Sequence, residues 1–272
     1  MRKITVITGA NSGLGFEFAR QLFLSDCENS EKELWLIARN YEKLEDAAKK
    51  IRAEAGETAK AEIKLISMNV SGKEGVETFR DFVNRERAAR EYEIELLVNN
   101  AGFGTYGPFS QTPLEKEIDM IELNCTALTG ICGVCLPFLG NESRIINVSS
   151  LAAFLPLGNF AVYAATKSYV LSFSIALAAE LKDKGIKVTA LCPGSVSTNF
   201  AAVASNGARE EVLHGKSPEK VVSHCLALSQ KGKCTAIWAT RWKLTAFMSR
   251  FIGRYAGARF TYKFQKRPYK KD

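Results

Sequence analysis

The sequence predicts a single α/β domain organised around one doubly wound parallel sheet. Short apolar runs rich in β-branched residues alternate with helical patterns along most of the 272 residues. A glycine-rich turn follows the first of these runs and precedes the first helical pattern. The composition, 46% hydrophobic and 24% charged, is typical of a globular domain, and no linker divides the pattern.

Seven strands and six helices are predicted in alternation. The predicted strands cover residues 3–8, 33–38, 62–70, 96–99, 145–148, 187–191 and 235–239. The predicted helices cover residues 16–24, 41–55, 71–90, 112–135, 161–184 and 218–230. The fourth helix should begin with Thr112 as its N-cap and Pro113 at its first position. The segment 195–215 is rich in Ala, Ser, Asn and Gly and is expected to be a mobile loop.

The turn from Gly9 to Gly15 is a candidate phosphate-binding loop. Its glycines allow a tight turn and a close approach of the backbone to a ligand. The helix after it offers free N–H groups and the positive end of its dipole. The sequence therefore predicts a dinucleotide pyrophosphate here, held by Gly9, Asn11, Ser12, Gly13, Leu14 and Gly15.

The end of the second strand indicates which dinucleotide binds. NAD-binding units carry an acidic residue near this position, and it bonds the ribose 2′-hydroxyl. Here Ala38-Arg39-Asn40 offers no carboxylate, whereas the Arg39 guanidinium suits a 2′-phosphate. We therefore expect NADP(H) rather than NAD(H).

The stretch from Arg144 to Lys167 is the candidate catalytic segment. Ser149 and Ser150 follow a short apolar strand, at the sheet edge where open α/β folds bind ligands. Tyr163 and Lys167 are four residues apart in a predicted helix, so both lie on one face. An ammonium group roughly 5 Å from the phenol is expected to lower the Tyr163 pKa by roughly two units. Tyr163 could then exchange a proton near neutral pH.

Asn124 leaves two interpretations open. It lies in an apolar helical pattern between Leu123 and Cys125. An amide there either bonds the backbone within the core or serves a site, and the sequence favours neither.

With these motifs in order, the chain resembles the short-chain dehydrogenase/reductase family over about residues 3 to 240. Thr8-Gly9-x3-Gly13-x-Gly15 matches the cofactor turn of that family, and Asn99-Asn100-Ala101-Gly102 matches its fourth-strand motif. Asn124, Ser150, Tyr163 and Lys167 fall where the family has its catalytic tetrad. Pro193-Gly194, with Val196 and Thr198, matches the segment that lies along the nicotinamide.

The resemblance implies a Rossmann-like fold and hydride transfer between NADP(H) and a carbonyl or alcohol. Ser150 would then hydrogen-bond the substrate oxygen, and Tyr163 would give that oxygen its proton. Lys167 would lower the Tyr163 pKa and bind the nicotinamide ribose, while Asn124 would hold a water that links Lys167 to solvent.

Two positions depart from the usual pattern of the family. Asn69-Val70 stands where many members have Asp-Val, whose carboxylate helps to hold the adenine. Ser12 stands where many NADP-using members have a basic residue, so Arg39 is the only clear basic determinant.

Large apolar residues near the candidate site suggest the substrate class. Phe103 and Tyr106 follow the fourth-strand motif, and Phe154, Leu155, Pro156, Leu157 and Phe160 precede Tyr163. They either line an apolar pocket or only pack the loop. The first interpretation favours a small-molecule carbonyl or alcohol that is lipid-like, steroid-like or aromatic.

We expect a carbonyl reductase and keep two alternatives. One is a 3-oxoacyl-thioester reductase, because the basic tail could favour phosphorylated carriers. The other is a non-catalytic NADP-binding sensor or scaffold, against which the complete tetrad argues. A homo-oligomer is expected, as for many members of the family.

The cysteine content and the absence of long apolar runs indicate the cellular compartment that we expect. Seven Cys, no obvious signal peptide after Met1 and no uninterrupted apolar run of membrane-spanning length lead us to expect a reduced, cytoplasmic protein. Cys132-Gly-Val-Cys135 has metal or redox spacing. It lies in an apolar helical pattern without a His or a second Cys pair nearby, so we expect packing and no metal.

Residues 241–272 are predicted to be a basic amphipathic extension of a catalytic domain at 1–240. They hold ten Lys or Arg and one acidic residue, a net charge of +9, whereas the whole chain carries +8. Leu244, Phe247, Met248, Phe251, Ile252 and Tyr255 recur at helical spacing and predict one apolar stripe.

Two interpretations of this extension remain. The favoured one is that the stripe packs over the substrate pocket or a second subunit. The other is weak, salt-sensitive attachment to an anionic membrane surface. Nucleic acid is not expected as a partner, because no known binding module accompanies the charge.

Overall fold

The computed structural model describes residues 1–56, 59–209 and 215–270. Its strands are β1 (Arg2–Thr8), β2 (Lys32–Ala38), β3 (Glu62–Ser67), β4 (Tyr92–Asn99), β5 (Arg144–Val148), β6 (Lys187–Leu191) and β7 (Thr235–Ala236). They form one sheet in the order β3-β2-β1-β4-β5-β6-β7, and all pairs are parallel. The order reverses direction between β1 and β4, which is where such sheets bind ligands.

Helices cover both faces of the sheet. They are α1 (Gly13–Asp26), α2 (Tyr41–Ala55), α3 (Gly72–Ala89), α4 (Leu114–Ile121), α5 (Leu128–Cys135), α6 (Ala161–Glu180), α7 (Phe200–Ala204), α8 (Pro218–Gln230), α9 (Thr240–Met248) and α10 (Arg254–Phe264). One apolar core lies between the sheet and α1, α2 and α8. A second lies between the opposite face and α3, α5 and α6. The prediction of a doubly wound parallel sheet is therefore confirmed.

The sequence of β2 shows why the strands read as continuous apolar runs. Leu34 and Leu36 point into the first core, whereas Trp35 and Ile37 point into the second. Successive side chains of a strand alternate between faces, so burial of both faces requires apolar residues at every position.

Several predicted boundaries were wrong. β7 ends at Ala236 rather than at 239, β4 begins at Tyr92 rather than at 96, and α1 extends from Gly13 to Asp26 rather than over 16–24. β3 ends at Ser67 rather than at 70, because Asn69 Oδ1 accepts from Ser71 N at 3.2 Å and turns the chain. The fourth helix begins at Leu114, with Pro113 rather than Thr112 as its N-cap. α6 ends at Glu180, before a short 3-10 turn that Gly185 closes with a positive φ. In the expected loop 195–215, α7 forms, and residues 210–214 lie outside the described residues.

The C-terminal extension forms two helices and not one, which corrects the prediction of a single stripe. A 3-10 turn at Ser249–Phe251 ends α9, and Gly253 precedes α10. Glycine disfavours a helix interior, so a break at this position is expected. The extension packs on the domain, since Trp242 is buried in the first core.

Two helical stretches, Leu114–Phe138 and Ala161–Glu180, are long and apolar enough to cross a membrane by length and composition. Both pack against the sheet, and they carry Asn124, Tyr163 and Lys167. The helices of a doubly wound domain are apolar for this reason, so we assign both to the domain.

Candidate functional site

A cavity of about 2610 Å³ lies at the carboxyl ends of β1, β2, β4, β5 and β6. Every residue that the sequence assigned to the cofactor or the tetrad lines it, except Gly15 and Asn124. Those two support residues that do line it, as the distances below show. The structure therefore brings together motifs that are up to about 190 residues apart in the chain.

The glycine turn between β1 and α1 fits a dinucleotide. Gly9 and Gly13 have φ values of 65° and 56°, which favour glycine. A Cβ at Gly15 would lie 2.2 Å from the Gly9 carbonyl oxygen, so α1 could not approach β1 with any larger residue. The turn lies at the N-terminus of α1, whose dipole favours a pyrophosphate.

The end of β4 holds this turn in place. Asn100 Nδ2 donates to the carbonyl oxygens of Thr8 at 3.0 Å and Gly9 at 3.2 Å. The Thr8 hydroxyl accepts from the N–H groups of Asn100 and Ala101, both at 3.0 Å. The Asn-Asn-Ala-Gly motif thus has a structural role, which fixes the shape of the cofactor turn.

The end of β2 presents two basic side chains to the cavity. Arg39 is exposed there, and Ser67 Oγ donates to its carbonyl oxygen at 3.1 Å. Lys43, in the first turn of α2, also lines the cavity. The Asn40 side chain caps this helix by accepting from Lys43 N at 2.8 Å. Arg39 is therefore not the only basic side chain at this end of the cavity. Lys43 was missed because only the geometry of the helix brings it back to the strand end.

The segment after β6 closes the cofactor side of the cavity. Pro193 O accepts from Leu151 N at 2.8 Å, and Thr198 lies 3.5 Å from the Cβ position of Gly13. A Cβ at Gly194 would lie 2.4 Å from Trp242 Nε1, so the C-terminal extension packs directly on this segment. No local pattern indicated this contact, because it joins residues from different predicted units.

Ser150 and Tyr163 meet beyond the carboxyl end of β5. Ser150 Oγ accepts from Ala152 N at 3.1 Å and donates to Pro193 O at 3.4 Å. Tyr163 is buried in α6, where the Phe160 ring stacks on it with centroids 4.1 Å apart. Both side chains are thus held rigidly at the cavity wall.

The expected lowering of the Tyr163 pKa was wrong. Burial raises the pKa of Tyr163 well above its ordinary value, while the neighbouring Ser150 side chain lowers it by less. Lys167 Nζ donates to Val148 O at 2.8 Å and lies 5.6 Å from the Tyr163 ring centroid. Burial lowers the pKa of Lys167 to about 8. Desolvation therefore outweighs the expected attraction between the ammonium and the phenolate.

Asn124 bonds the backbone beside the site. Its Nδ2 donates to Phe103 O at 2.9 Å and to Thr166 Oγ1 at 3.1 Å, and its Oδ1 accepts from Phe103 N at 3.1 Å. It lies in a π-helical turn, Glu122–Ala127, between α4 and α5. Such turns are often found at functional sites. The structure thus shows the first of the two open interpretations, a side chain that bonds the backbone. These bonds fix the loop after β4 against Lys167. The role of Asn124 in holding a water stays a prediction.

An aromatic stack forms the substrate side of the cavity. Tyr106 packs edge-on against Phe160 at 4.9 Å, and Phe200 lies 5.4 Å from Tyr163. The expected lining residues are present except Pro156, which is exposed outside the cavity. Phe200, Phe260 and Phe264 were missed, since nothing in their local sequence places them here, whereas Ile252 belongs to the stripe that was expected over the pocket.

The segment that follows α10 crosses the outer part of the cavity. The Arg267 guanidinium lies 5.2 Å from the Phe160 ring centroid and donates to Gly158 O at 3.2 Å. Arg209 donates to Lys266 O at 3.0 Å and lies 5.8 Å from the Tyr106 ring centroid. Nine Lys or Arg but only one acidic residue, Asp119, are found among the described lining residues. The cavity is therefore strongly positive.

Comparisons with known proteins agree with this geometry. A family model described as short chain dehydrogenase matches residues 3–208. The chain is 31% identical over 223 residues to the "Probable oxidoreductase EphD" of Mycobacterium tuberculosis, covering 77% of this chain but 34% of that protein. It thus spans about a third of that relative. It is 30% identical over 227 residues to the "Very-long-chain 3-oxoacyl-CoA reductase-A" of Danio rerio, covering 81% of this chain and 65% of the relative.

Solved structures show the same fold. A short-chain dehydrogenase from Sphingobium yanoikuyae in complex with NADPH has a TM-score of 0.75 and 24% identity, covering 92% of this chain and 94% of that one. A short-chain dehydrogenase/reductase from Burkholderia phymatum in complex with NAD has a TM-score of 0.76 and 20% identity, covering 99% and 97% of the two chains. The match of the family model over residues 3–208 shows that the chain belongs to the short chain dehydrogenase family of oxidoreductases.

Proposed function

We propose that this protein interconverts a carbonyl and an alcohol on an apolar substrate, using NADP(H). The observation that carries the proposal is the convergence of Ser150, Tyr163 and Lys167 on one wall of a cavity that also contains the glycine turn. The presence of all four tetrad residues argues against a non-catalytic sensor or scaffold, which would not need these side chains.

The site residues have distinct tasks in the proposed reaction. NADPH, when bound, supplies the hydride. The Ser150 hydroxyl donates to the substrate oxygen and polarises it. Tyr163, which burial keeps protonated, gives its proton to that oxygen as negative charge develops. Lys167 lies close enough to stabilise the tyrosinate that remains, and Asn124 fixes the loop that confines Lys167.

The preference for NADP(H) over NAD(H) rests on charge. Arg39 and Lys43 border the place where the second strand ends, and no acidic side chain from this region lines the cavity among the described residues. Two cations suit the 2′-phosphate of NADP(H), whereas the ribose 2′-hydroxyl of NAD(H) would find no carboxylate.

The test is a carbonyl substrate screen that follows NADPH absorbance, with Tyr163→Phe as the matched control. We expect turnover of bulky apolar ketones by the unmodified chain only. Equal turnover by both proteins would contradict the assigned role of Tyr163, and no turnover of any carbonyl would contradict the proposed function.

A second candidate, a 3-oxoacyl-thioester reductase, is favoured by the outer part of the cavity. Lys116, Arg209, Lys266 and Arg267 line it, which suits a carrier that bears phosphates. The names of the very-long-chain 3-oxoacyl-CoA reductases among the relatives support this chemistry.

Two thioesters with the same 3-oxoacyl chain separate the candidates. One carries coenzyme A, and the other carries a short neutral thiol. A thioester reductase should have a kcat/KM at least tenfold higher for the coenzyme A form, falling with added salt. Equal values would favour a reductase of simple carbonyls.

A further inference from the structure

The outer surface of the C-terminal extension is strongly apolar. Among the described residues, eighteen large apolar side chains are exposed, and nine of them lie between 244 and 264. The nine are Leu244, Phe247, Met248, Phe251, Ile252, Tyr255, Phe260, Tyr262 and Phe264. Singly exposed apolar residues are common on protein surfaces, but this clustering marks an interaction site. We call these nine residues the C-terminal apolar surface.

The packing of the two helices explains why these residues point outwards. Trp242 and Ala246 of α9 are buried against the domain, as are Gly257 and Thr261 of α10. Gly158 N donates to Thr261 Oγ1 at 2.8 Å, which anchors α10. The helices are therefore anchored through small residues and one Trp, and their large residues remain on the other side.

This arrangement contradicts one half of the favoured interpretation from the sequence, namely that the stripe packs over the substrate pocket; its packing against a second subunit stays a prediction. Most of the stripe does not cover the pocket, because the opposite face of each helix does so. Phe251 and Tyr255 are 70% and 82% exposed. Ile252, Phe260 and Phe264 are exposed and also line the cavity. The C-terminal apolar surface thus continues into the rim of the cavity.

The charge around this surface selects among partners. No acidic residue occurs between Glu219 and Asp272, whereas the exposed Arg250, Arg254 and Arg259 lie among the apolar side chains. A second copy of the same surface would bring like charges together around a two-fold axis. An anionic lipid surface offers both phosphates for the cations and an apolar layer for the aromatic rings.

We propose that the C-terminal apolar surface docks on an anionic membrane, so that the protein is a cytoplasmic enzyme peripherally attached to lipid. The aromatic rings enter the boundary between headgroups and acyl chains, and the arginines contact headgroup phosphates. The rim of the cavity then faces the lipid. Attachment is reversible and weakens with salt, because the charged contacts are exposed to solvent.

The test is flotation of the full chain with vesicles of phosphatidylcholine, alone or mixed with phosphatidylserine. We expect flotation with the anionic vesicles at low salt and its loss at high salt. Arg250→Gln with Arg254→Gln should weaken binding on the order of twentyfold. Phe251→Ser with Tyr255→Ser should abolish it.

Matched controls separate docking from general surface effects. Phe109→Ser alters an exposed aromatic residue elsewhere, and Lys182→Gln removes an exposed charge outside the extension. Both should float like the unmodified chain. All variants change exposed side chains, and an unchanged thermal midpoint confirms that each is folded.

Three results would overturn the proposal. They are no flotation at low salt, equal flotation of the Phe251→Ser, Tyr255→Ser variant, and a dimer in light scattering that this variant alone dissociates. The last result would assign the surface to a second copy of the chain. None of these measurements depends on enzyme activity, so they stand apart from any failure of the proposed function.

Discussion

Replacing Lys167 by Met should change how stability depends on pH. Burial lowers the pKa of Lys167 to about 8 from its ordinary value of 10.5. Below pH 8 the folded protein must keep a buried ammonium charged, which costs about 3 kcal/mol of folding free energy. Between pH 8 and 10.5 the unfolded chain binds more protons than the folded one, so this cost falls as the pH rises.

The cost worked from these two pKa values is about 3 kcal/mol at pH 7 and about 1.4 kcal/mol at pH 9.5. Lys167→Met removes the titrating group and with it this dependence on pH. The substitution also leaves Val148 O without its donor, which lowers the free energy of unfolding by about 1–3 kcal/mol at every pH. The free energy of unfolding of the unmodified protein should therefore rise by about 2 kcal/mol relative to the variant between pH 7 and pH 9.5.

Urea unfolding of both proteins at the two pH values measures this difference. Lys184→Met, at an exposed position, is the matched control for loss of a lysine. The Lys167→Met variant should also lose most of its turnover, because Lys167 would stabilise the tyrosinate in the proposed reaction. A stability difference between the two proteins that stays constant from pH 7 to pH 9.5 would refute the reasoning.

Three further predictions concern the cofactor, the proton donor and the assembly. Tyr163→Phe keeps the ring and removes the proton, so turnover should fall by several orders of magnitude while NADPH titration still shows binding; turnover near that of the unmodified chain would contradict it. Arg39→Asp should repel the 2′-phosphate and accept a 2′-hydroxyl, so the ratio of kcat/KM for NADPH to that for NADH should fall at least a hundredfold; an unmodified protein that already prefers NADH would contradict the assignment. The homo-oligomer stays a prediction that light scattering tests: we expect a mass of at least two protomers, and a mass near 30.0 kDa would contradict it.

Local sequence determined the sheet and most of the site. The alternation of apolar runs with helical patterns is a property of neighbouring residues, so it predicted seven strands in their correct order along the chain. Many of the motif residues could be named because they lie at the end of a strand or in the first turn of a helix, positions that the pattern itself locates. Gly9, Ser150 and Tyr163 are of this kind.

Only the tertiary structure decided what depends on burial and on distant contacts. Whether Tyr163 or Lys167 has a shifted pKa depends on how much solvent reaches them, which spacing along a helix does not reveal. Lys43 and Trp242 reach the cofactor region through packing between separate elements.

The C-terminal extension shows the same division. Its composition and periodicity were clear from the sequence. However, two faces of one helix can each be apolar enough to be buried, so the sequence alone did not decide which face packs on the domain. Packing settled which face is inside: Trp242 inserts into the first core, and Ala246, Gly257 and Thr261 are small enough to bring the helices close to the domain. The physical reason is that a sequence records the character of each side chain, whereas burial is decided by the shape of the surface on which that side chain packs.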